Sequence, residues 1–158
     1  MFDAYASDPE ATRYLEWRPY VNVADLRRYV REILVPAWET GRGHRAWLIE
    51  RRDIPGVIGA IGFAMRHASC VSVGYVLGHG HWGQGLMTEA LRAVCDRALA
   101  DPKIYRVEAI CHPDNVASSR VMEKSGMSYE GRLKRFFAFP NLGPEPVDCL
   151  LYARVKEE

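Results

Sequence analysis

The apolar positions change period several times along this chain. Val23, Leu26, Tyr29, Val30, Ile33 and Leu34 recur at three- and four-residue spacing, which gathers them on one face of a helix. Asn22, followed three residues later by Asp25, marks its start, and Gly41 and Gly43 its end. A helix also opens in "ASDPEATRYL", where Ser7 and Glu10 have capping-box spacing and Pro9 suits a first turn. The period then falls to two. "RAWLIE" (45–50), "GVIGAIGFAM" (56–65) and "CVSVGYVL" (70–77), broken by Asp53, Pro55 and Gly56, predict an antiparallel meander.

The helical period returns in "GLMTEALRAVCDRALAD", with Leu86, Ala90, Val94 and Ala98 along one side and Pro102 just beyond. "IYRVEAIC" (104–111) reads as a strand, and "NVASSRVMEKSG" as a helix begun by Asn115 and stopped by Gly126. "SYEGRLKRFFAF" and "VDCLLYARV" are two closing strands around the Pro- and Gly-rich "PNLGPEP". The order is helix, helix, three strands, helix, strand, helix, two strands. It predicts an α+β (mixed α/β) class and a single domain over 1–158.

Composition removes several function classes. The 158 residues are 48% hydrophobic and 26% charged with a formal net charge of +1, so nothing pulls the chain toward nucleic acid or an anionic membrane. No apolar run approaches the ~20 residues that span a bilayer, and "MFDAYASDPE" lacks the pattern of a secretory leader. Cys70, Cys95, Cys111 and Cys149 are scattered, which predicts reduced thiols and a cytoplasmic protein. Pairs such as Cys111 with His112, or His79 with His81, fall short of four ligands at metal spacing, so no metal is expected.

The chemistry concentrates in "VGYVLGHGHWGQGLMTEALRAV" (73–94). Gly78, Gly80 and Gly83 spell the dinucleotide fingerprint, which should join a strand to a helix. Against it, the preceding strands read as antiparallel, and "IYRVEAIC" ends in Cys111 and His112 instead of a ribose-binding acid. A second reading centres the turn on Trp82-Gly83-Gln84-Gly85-Leu86-Met87-Thr88, where small residues let backbone N–H groups and a helix N-terminus face an anion. A third makes it a plain connecting turn. The glycines alone leave all three open.

Read together, "VGYVLGHGHWGQGLMTEA", "YRVEAIC" and "HPDNVASSRVMEKSGMSYEGRLKR" resemble the GNAT superfamily of acetyl-CoA-dependent N-acetyltransferases. The likeness is to the branch containing the ribosomal-protein N-terminal (Rim-type) enzymes, with G-Y, W-G-x-G then T-E-A, R-x-E-A, N-x-x-S and E-K-x-G in order. It spans roughly 47–155, and "SDPEATRYLEW" is similar to the branch's first helix. The resemblance implies a central, mostly antiparallel sheet, splayed between the strands 70–77 and 104–111 and flanked by about four helices. It implies acetyl-CoA as cosubstrate, with no metal, and transfer of acetyl to a primary amine by direct attack. The acceptor would be a protein N-terminus or a small-molecule amine, and the protein a monomer or homodimer.

The resemblance also assigns residues. Trp82, Gly83, Gln84, Gly85, Leu86, Met87 and Thr88 would bind the CoA pyrophosphate through backbone amides; Val76 and Leu77 would pair with pantetheine. An N–H near Tyr75 or Val76 would face the thioester oxygen, and Asn115 would hydrogen-bond the pantetheine arm. Ser118 matches the branch's proton donor for the departing thiolate, while serine is also ordinary in a first helical turn. Glu108 is the candidate base or a partner of Arg106 or Arg132, and Glu130 with a water path is another option.

The chain departs from the branch's pattern in three places. Ser72 or Val73 stands where the branch often carries a glutamate, Met87 where the loop usually has a small residue, and the usual first strand is not evident. Met87 is expected to crowd a loop amide. Tyr14, Trp17, Tyr20, Trp38, Phe136, Phe137 and Phe139 fall where acceptors dock, or they fill the core. A non-catalytic acyl-CoA-binding module and a nicotinamide-dependent oxidoreductase are the competing functions.

Overall fold

The strands β1 (Arg45–Glu50), β2 (Val57–His67), β3 (Cys70–Leu77), β4 (Arg106–Cys111), β5 (Ser128–Phe137) and β6 (Val147–Val155) form one sheet. Its order is β1-β2-β3-β4-β6-β5 in this computed structural model, which describes residues 1–157. The expected meander is present: β1–β2 and β2–β3 are antiparallel, as are β4–β6 and β5–β6. Only β3 and β4 run parallel, and their pairing stops after Cys70↔Arg106, Val71↔Val107 and Ser72↔Glu108. Beyond those rungs the two strands diverge, which is the predicted splay.

Among the described residues five α-helices flank the sheet: α1 (Pro9–Thr12), α2 (Val23–Tyr29), α3 (Val35–Thr40), α4 (Leu86–Leu99) and α5 (Val116–Lys124). A π-turn, Val30–Leu34, runs α2 into α3, so the expected single helix over this stretch is continuous but widened in the middle. Pro36 supplies a reason: it has no N–H to bond the carbonyl of Glu32, and its ring crowds that carbonyl. Asn22 caps α2 as predicted, its Oδ1 accepting from Asp25 N–H at 2.9 Å, and Gly41 ends α3 at φ +67. The first helix differs from expectation. Its cap is Asp8, which accepts from Glu10 N–H at 2.8 Å, and it ends at Thr12. Ser7 instead donates its hydroxyl to the carbonyl of Phe2, because a π-turn over Phe2–Ala6 precedes the helix.

The two faces of the sheet carry separate apolar clusters. On one, Met87, Leu91, Val94 and Cys95 of α4 and Met122 of α5 pack on Ile61, Val71, Val73, Val107 and Ala109. Leu91 and Met122 are fully buried, each worth ~1.5–3 kcal/mol of burial against ~1 for a helix cap, so packing decides this layer. Burial pushes the Cys95 and Cys149 thiols up to about 11, and all four cysteines are free. On the other face Tyr5, Ala6, Ala11 and Leu26 close over Val76. Asn141 locks this layer from the β5–β6 loop, donating to the carbonyls of Thr12 and Trp17 at 2.7 and 2.9 Å. Among the described residues no helix is long and apolar enough to cross a membrane.

Candidate active site

A cavity of about 1380 Å³ follows the split between β3 and β4. The turn between β3 and α4 lines part of it. Gly83 and Gly85 both take positive φ, +73 and +78, which L side chains rarely adopt, and a Cβ at either would meet nothing within 4 Å. The backbone is therefore bare on the side where a ligand approaches. Gly85 caps α4, and the first N–H groups of that helix have no partner within it, so the loop and the helix end together offer several donors and a positive dipole end. These are the donors that a pyrophosphate needs, and no lysine or metal has to supplement them.

Side chains of the turn brace it. Trp82 donates its indole N–H to the carbonyl of Leu77 at 2.8 Å, so of the two expected pantetheine partners, Leu77 already has its carbonyl engaged. Gln84 accepts from Arg51 Nη1 at 2.7 Å and does not line the cavity, unlike Trp82, Gly83, Gly85, Leu86 and Thr88. Arg51 thus brings a guanidinium to the loop from 33 residues away, and nothing in its sequence neighbourhood announced it. Met87 is buried in the α4 core layer and also lines the cavity beside Leu86 and Thr88. Gly78, from the rejected fingerprint, is a packing glycine, since a Cβ there would strike the carbonyl oxygen of Ala4.

Deeper in, β3 and α5 face one another across the split. The Tyr75 hydroxyl lies 2.8 Å from Ser118 Oγ and 3.2 Å from the Ser118 carbonyl oxygen. Burial raises the Tyr75 pKa well above its ordinary value, so the phenol stays protonated and able to donate. Tyr75 entered the sequence reading for its backbone; its side chain is the contact that was missed. Asn115 caps α5, its Oδ1 accepting from Ser118 N–H at 3.2 Å. Arg120 and Lys124, one turn apart on α5, line the same cavity and add positive charge along its wall.

Glu108 lies on the cavity floor, with its side chain 13% exposed. Arg66 Nε holds one carboxylate oxygen and Arg106 Nε the other, each at 2.9 Å. Arg106 also bridges to Glu130, whose carboxyl it holds below the usual range. Glu108 therefore pairs with Arg106 as one alternative foresaw, and with Arg66 in place of Arg132. Arg132 is bonded to Asp148 on β6 at 2.7 Å.

On the N-terminal side, Tyr14, Trp17, Tyr20, Phe136, Phe137 and Phe139 line the cavity. Trp38 does not. It stacks edge-on against Trp47 and Phe63 near the outer strand β1, with its indole donating to the carbonyl of Ala46 at 3.1 Å. His112 is stacked on Tyr14 and edge-on to Phe139, and His79 is edge-on to Trp82, so these two histidines pack against aromatic rings, while His81 lines the cavity.

Known proteins share this fold. Residues 1–128 match the acetyltransferase (GNAT) domain family. The chain is 31% identical over 159 residues to N-acetyltransferase YoaA of Bacillus subtilis, covering 99% of this chain and 86% of that protein. A GNAT-family acetyltransferase from Bacillus anthracis superposes with a TM-score of 0.78 at 27% identity, over 99% of this chain and 90% of that one. RimL, a ribosomal L7/L12 alpha-N-protein acetyltransferase solved in complex with coenzyme A, shares the fold. Its TM-score is 0.78 at 23% identity, over 92% of this chain and 80% of that one. The chain belongs to the GNAT acetyltransferase family, whose members take their acetyl group from acetyl-CoA.

Proposed function

We propose that this protein transfers acetyl from acetyl-CoA to a primary amine, a protein N-terminus or a small-molecule amine, by direct attack and without a covalent enzyme intermediate. The observation that carries this reading is the split itself. Pairing of β3 with β4 ends at Ser72↔Glu108, and one cavity runs from Gly83 and Gly85 to Ser118.

In this reading pantetheine fills the gap as an extra strand against β3, with Val76 as its main backbone partner and Asn115 Nδ2 across from it. The pyrophosphate meets the N–H groups around Gly83, Gly85 and Thr88. The backbone N–H near Tyr75 or Val76 faces the thioester oxygen, where one such donor is worth ~3–4 kcal/mol of barrier. Ser118 protonates the departing thiolate, held in place and re-supplied by the neutral Tyr75 hydroxyl. Glu108, clamped by two guanidinium groups, charges and shapes the floor beside the acceptor.

Thermal unfolding with acetyl-CoA, CoA, NAD and NADPH, followed by thiol release against an amine panel, tests this. Acetyl-CoA at ~100 times its Kd should add about 2.7 kcal/mol. Stabilisation by CoA species alone, with amine-dependent thiol release, is expected. CoA binding with no release above background would make the protein a binder, and stabilisation by a nicotinamide nucleotide alone would overturn the loop assignment.

A further inference from the structure

Acetyl transfer needs a base for the incoming ammonium, and Glu108 has both oxygens committed to Arg66 and Arg106. We propose that His44, resting over a two-glycine floor of the sheet, is the proton acceptor for the amine; this rests on the acetyltransferase reading above.

His44 immediately precedes β1, and the Cε1–Nε2 edge of its ring lies on Gly62 of β2, where a Cβ would come within 2.5 Å of Nε2. Gly62 has no positive φ. A glycine in mid-strand otherwise only weakens it, so this one marks a close approach, and the approaching group is the imidazole. Across the rung, Gly62 pairs with Gly74 of β3. There the situation reverses: a Cβ at Gly74 would meet nothing within 4 Å. Neighbouring strands stand ~4.8 Å apart, so the ring nitrogen sits about one strand spacing from an open place on β3. That place lies just past the last β3–β4 rung, where the split begins. His44, Gly62, Gly74 and Ser118 all line the one cavity.

The surroundings suit a neutral base. Partial desolvation lowers the His44 pKa below its ordinary value of 6.5, and Glu16, from the segment after α1, opposes part of that shift. Glu10, Arg13, Arg66 and Glu108 are among the other charged groups that line the cavity, with Asp114, Arg120 and Lys124. At neutral pH the imidazole is thus unprotonated, with a carboxylate near enough to favour the imidazolium once it forms. The step balances. One proton of the ammonium passes to His44 and then to solvent. The freed nitrogen pair forms the N–C bond, the C–S bond breaks, and a second nitrogen proton ends on the CoA sulfur through Ser118.

The test is His44→Gln. Its kcat/KM should fall ~10²–10⁴-fold while acetyl-CoA affinity, read by calorimetry, stays at the wild-type value. The ascending acid limb of the pH–rate profile should vanish, and added imidazole should restore part of the rate. Ring NMR titration in the absence of any acceptor gives a second readout. His44 should titrate below 6.5, and Glu16→Gln should lower it further, since removing the carboxylate removes the influence that raises it. An unchanged acid limb in His44→Gln, or a His44 that titrates at or above 6.5, overturns the assignment. Failure of wild-type protein to bind acetyl-CoA would instead undo the acetyltransferase reading, so the two failures are distinct.

Discussion

The Tyr75 hydroxyl and Ser118 Oγ meet at 2.8 Å across the gap between a strand and a helix that share no backbone pairing. Burial keeps the tyrosine neutral, so the serine faces a partner that can give a proton as well as accept one. Tyr75→Phe removes the hydroxyl that bonds Ser118, each such bond being worth ~0.5–1.5 kcal/mol. We expect kcat to fall by about two- to tenfold with acetyl-CoA affinity unchanged. Ser118→Ala should cost ~10²–10⁴-fold. Steady-state kinetics on both variants, with calorimetric Kd values, checks this order; equal losses in the two would mean that the phenol is itself the donor.

Gly85 holds φ +78 at the start of α4. A valine there strains the backbone by ~1–3 kcal/mol and places a branched side chain over the exposed amides. Acetyl-CoA affinity in Gly85→Val should drop by one to two orders of magnitude while far-UV circular dichroism remains native. Wild-type affinity in a folded variant would move the phosphate site elsewhere.

Two substitutions separate the capping role of Asn115 from its proposed contact with pantetheine. Asn115 Oδ1 caps α5, so Asn115→Ala should lose ~0.5–2 kcal/mol of stability in chemical denaturation. Asn115→Asp keeps an accepting oxygen for Ser118 N–H but has no Nδ2. It should be nearly as stable as wild type and still bind acetyl-CoA more weakly. Recovery of both properties in the aspartate variant would leave Asn115 as a cap alone.

Acid should weaken the β5–β6 pair. The Asp148 carboxyl is held below its ordinary 3.8 by the backbone N–H of Arg135 and then by the Arg132 guanidinium. A depressed folded pKa means that the unfolded chain takes up the proton first as pH falls. The stabilisation is thus complete above about 3.8 and is lost as pH drops through the lower folded value. Denaturation midpoints of wild type and Asp148→Asn should converge toward low pH; a gap that persists at pH 2 would place the effect in packing instead of charge.

Much of this was legible in the linear chain where the physics is local. β1, β3 and β6 follow the alternating runs 45–50, 70–77 and 147–155, because turn residues bracket each of them. Asn22 and Asn115 were readable as caps since a cap and its recipient lie three residues apart. Asp8 displaced Ser7 because the chain before it folds into a π-turn that draws the serine hydroxyl backward. The turn at Gly83 and Gly85 was legible as a bare stretch of backbone leading into a helix, and both glycines take positive φ at the start of α4. The site was not legible where it depends on contacts across the fold. Arg51 reaches Gln84, Tyr75 reaches Ser118 and Arg66 reaches Glu108 only after the strands are in register. The place of His44 was not legible because its contact is with Gly62, which reads in sequence as one more small residue in a strand.

Two three-stranded blades, β1-β2-β3 and β4-β6-β5, are joined by only three rungs at one end of the seam. Such a seam is a hinge with a missing spar. A molecule that supplies the missing rungs completes the girder between the blades, so occupancy and rigidity become one property. Amide exchange over Val73–Val76 and Ala109–Cys111 should therefore slow together when the gap is bridged, even on the side that the bridging molecule does not touch.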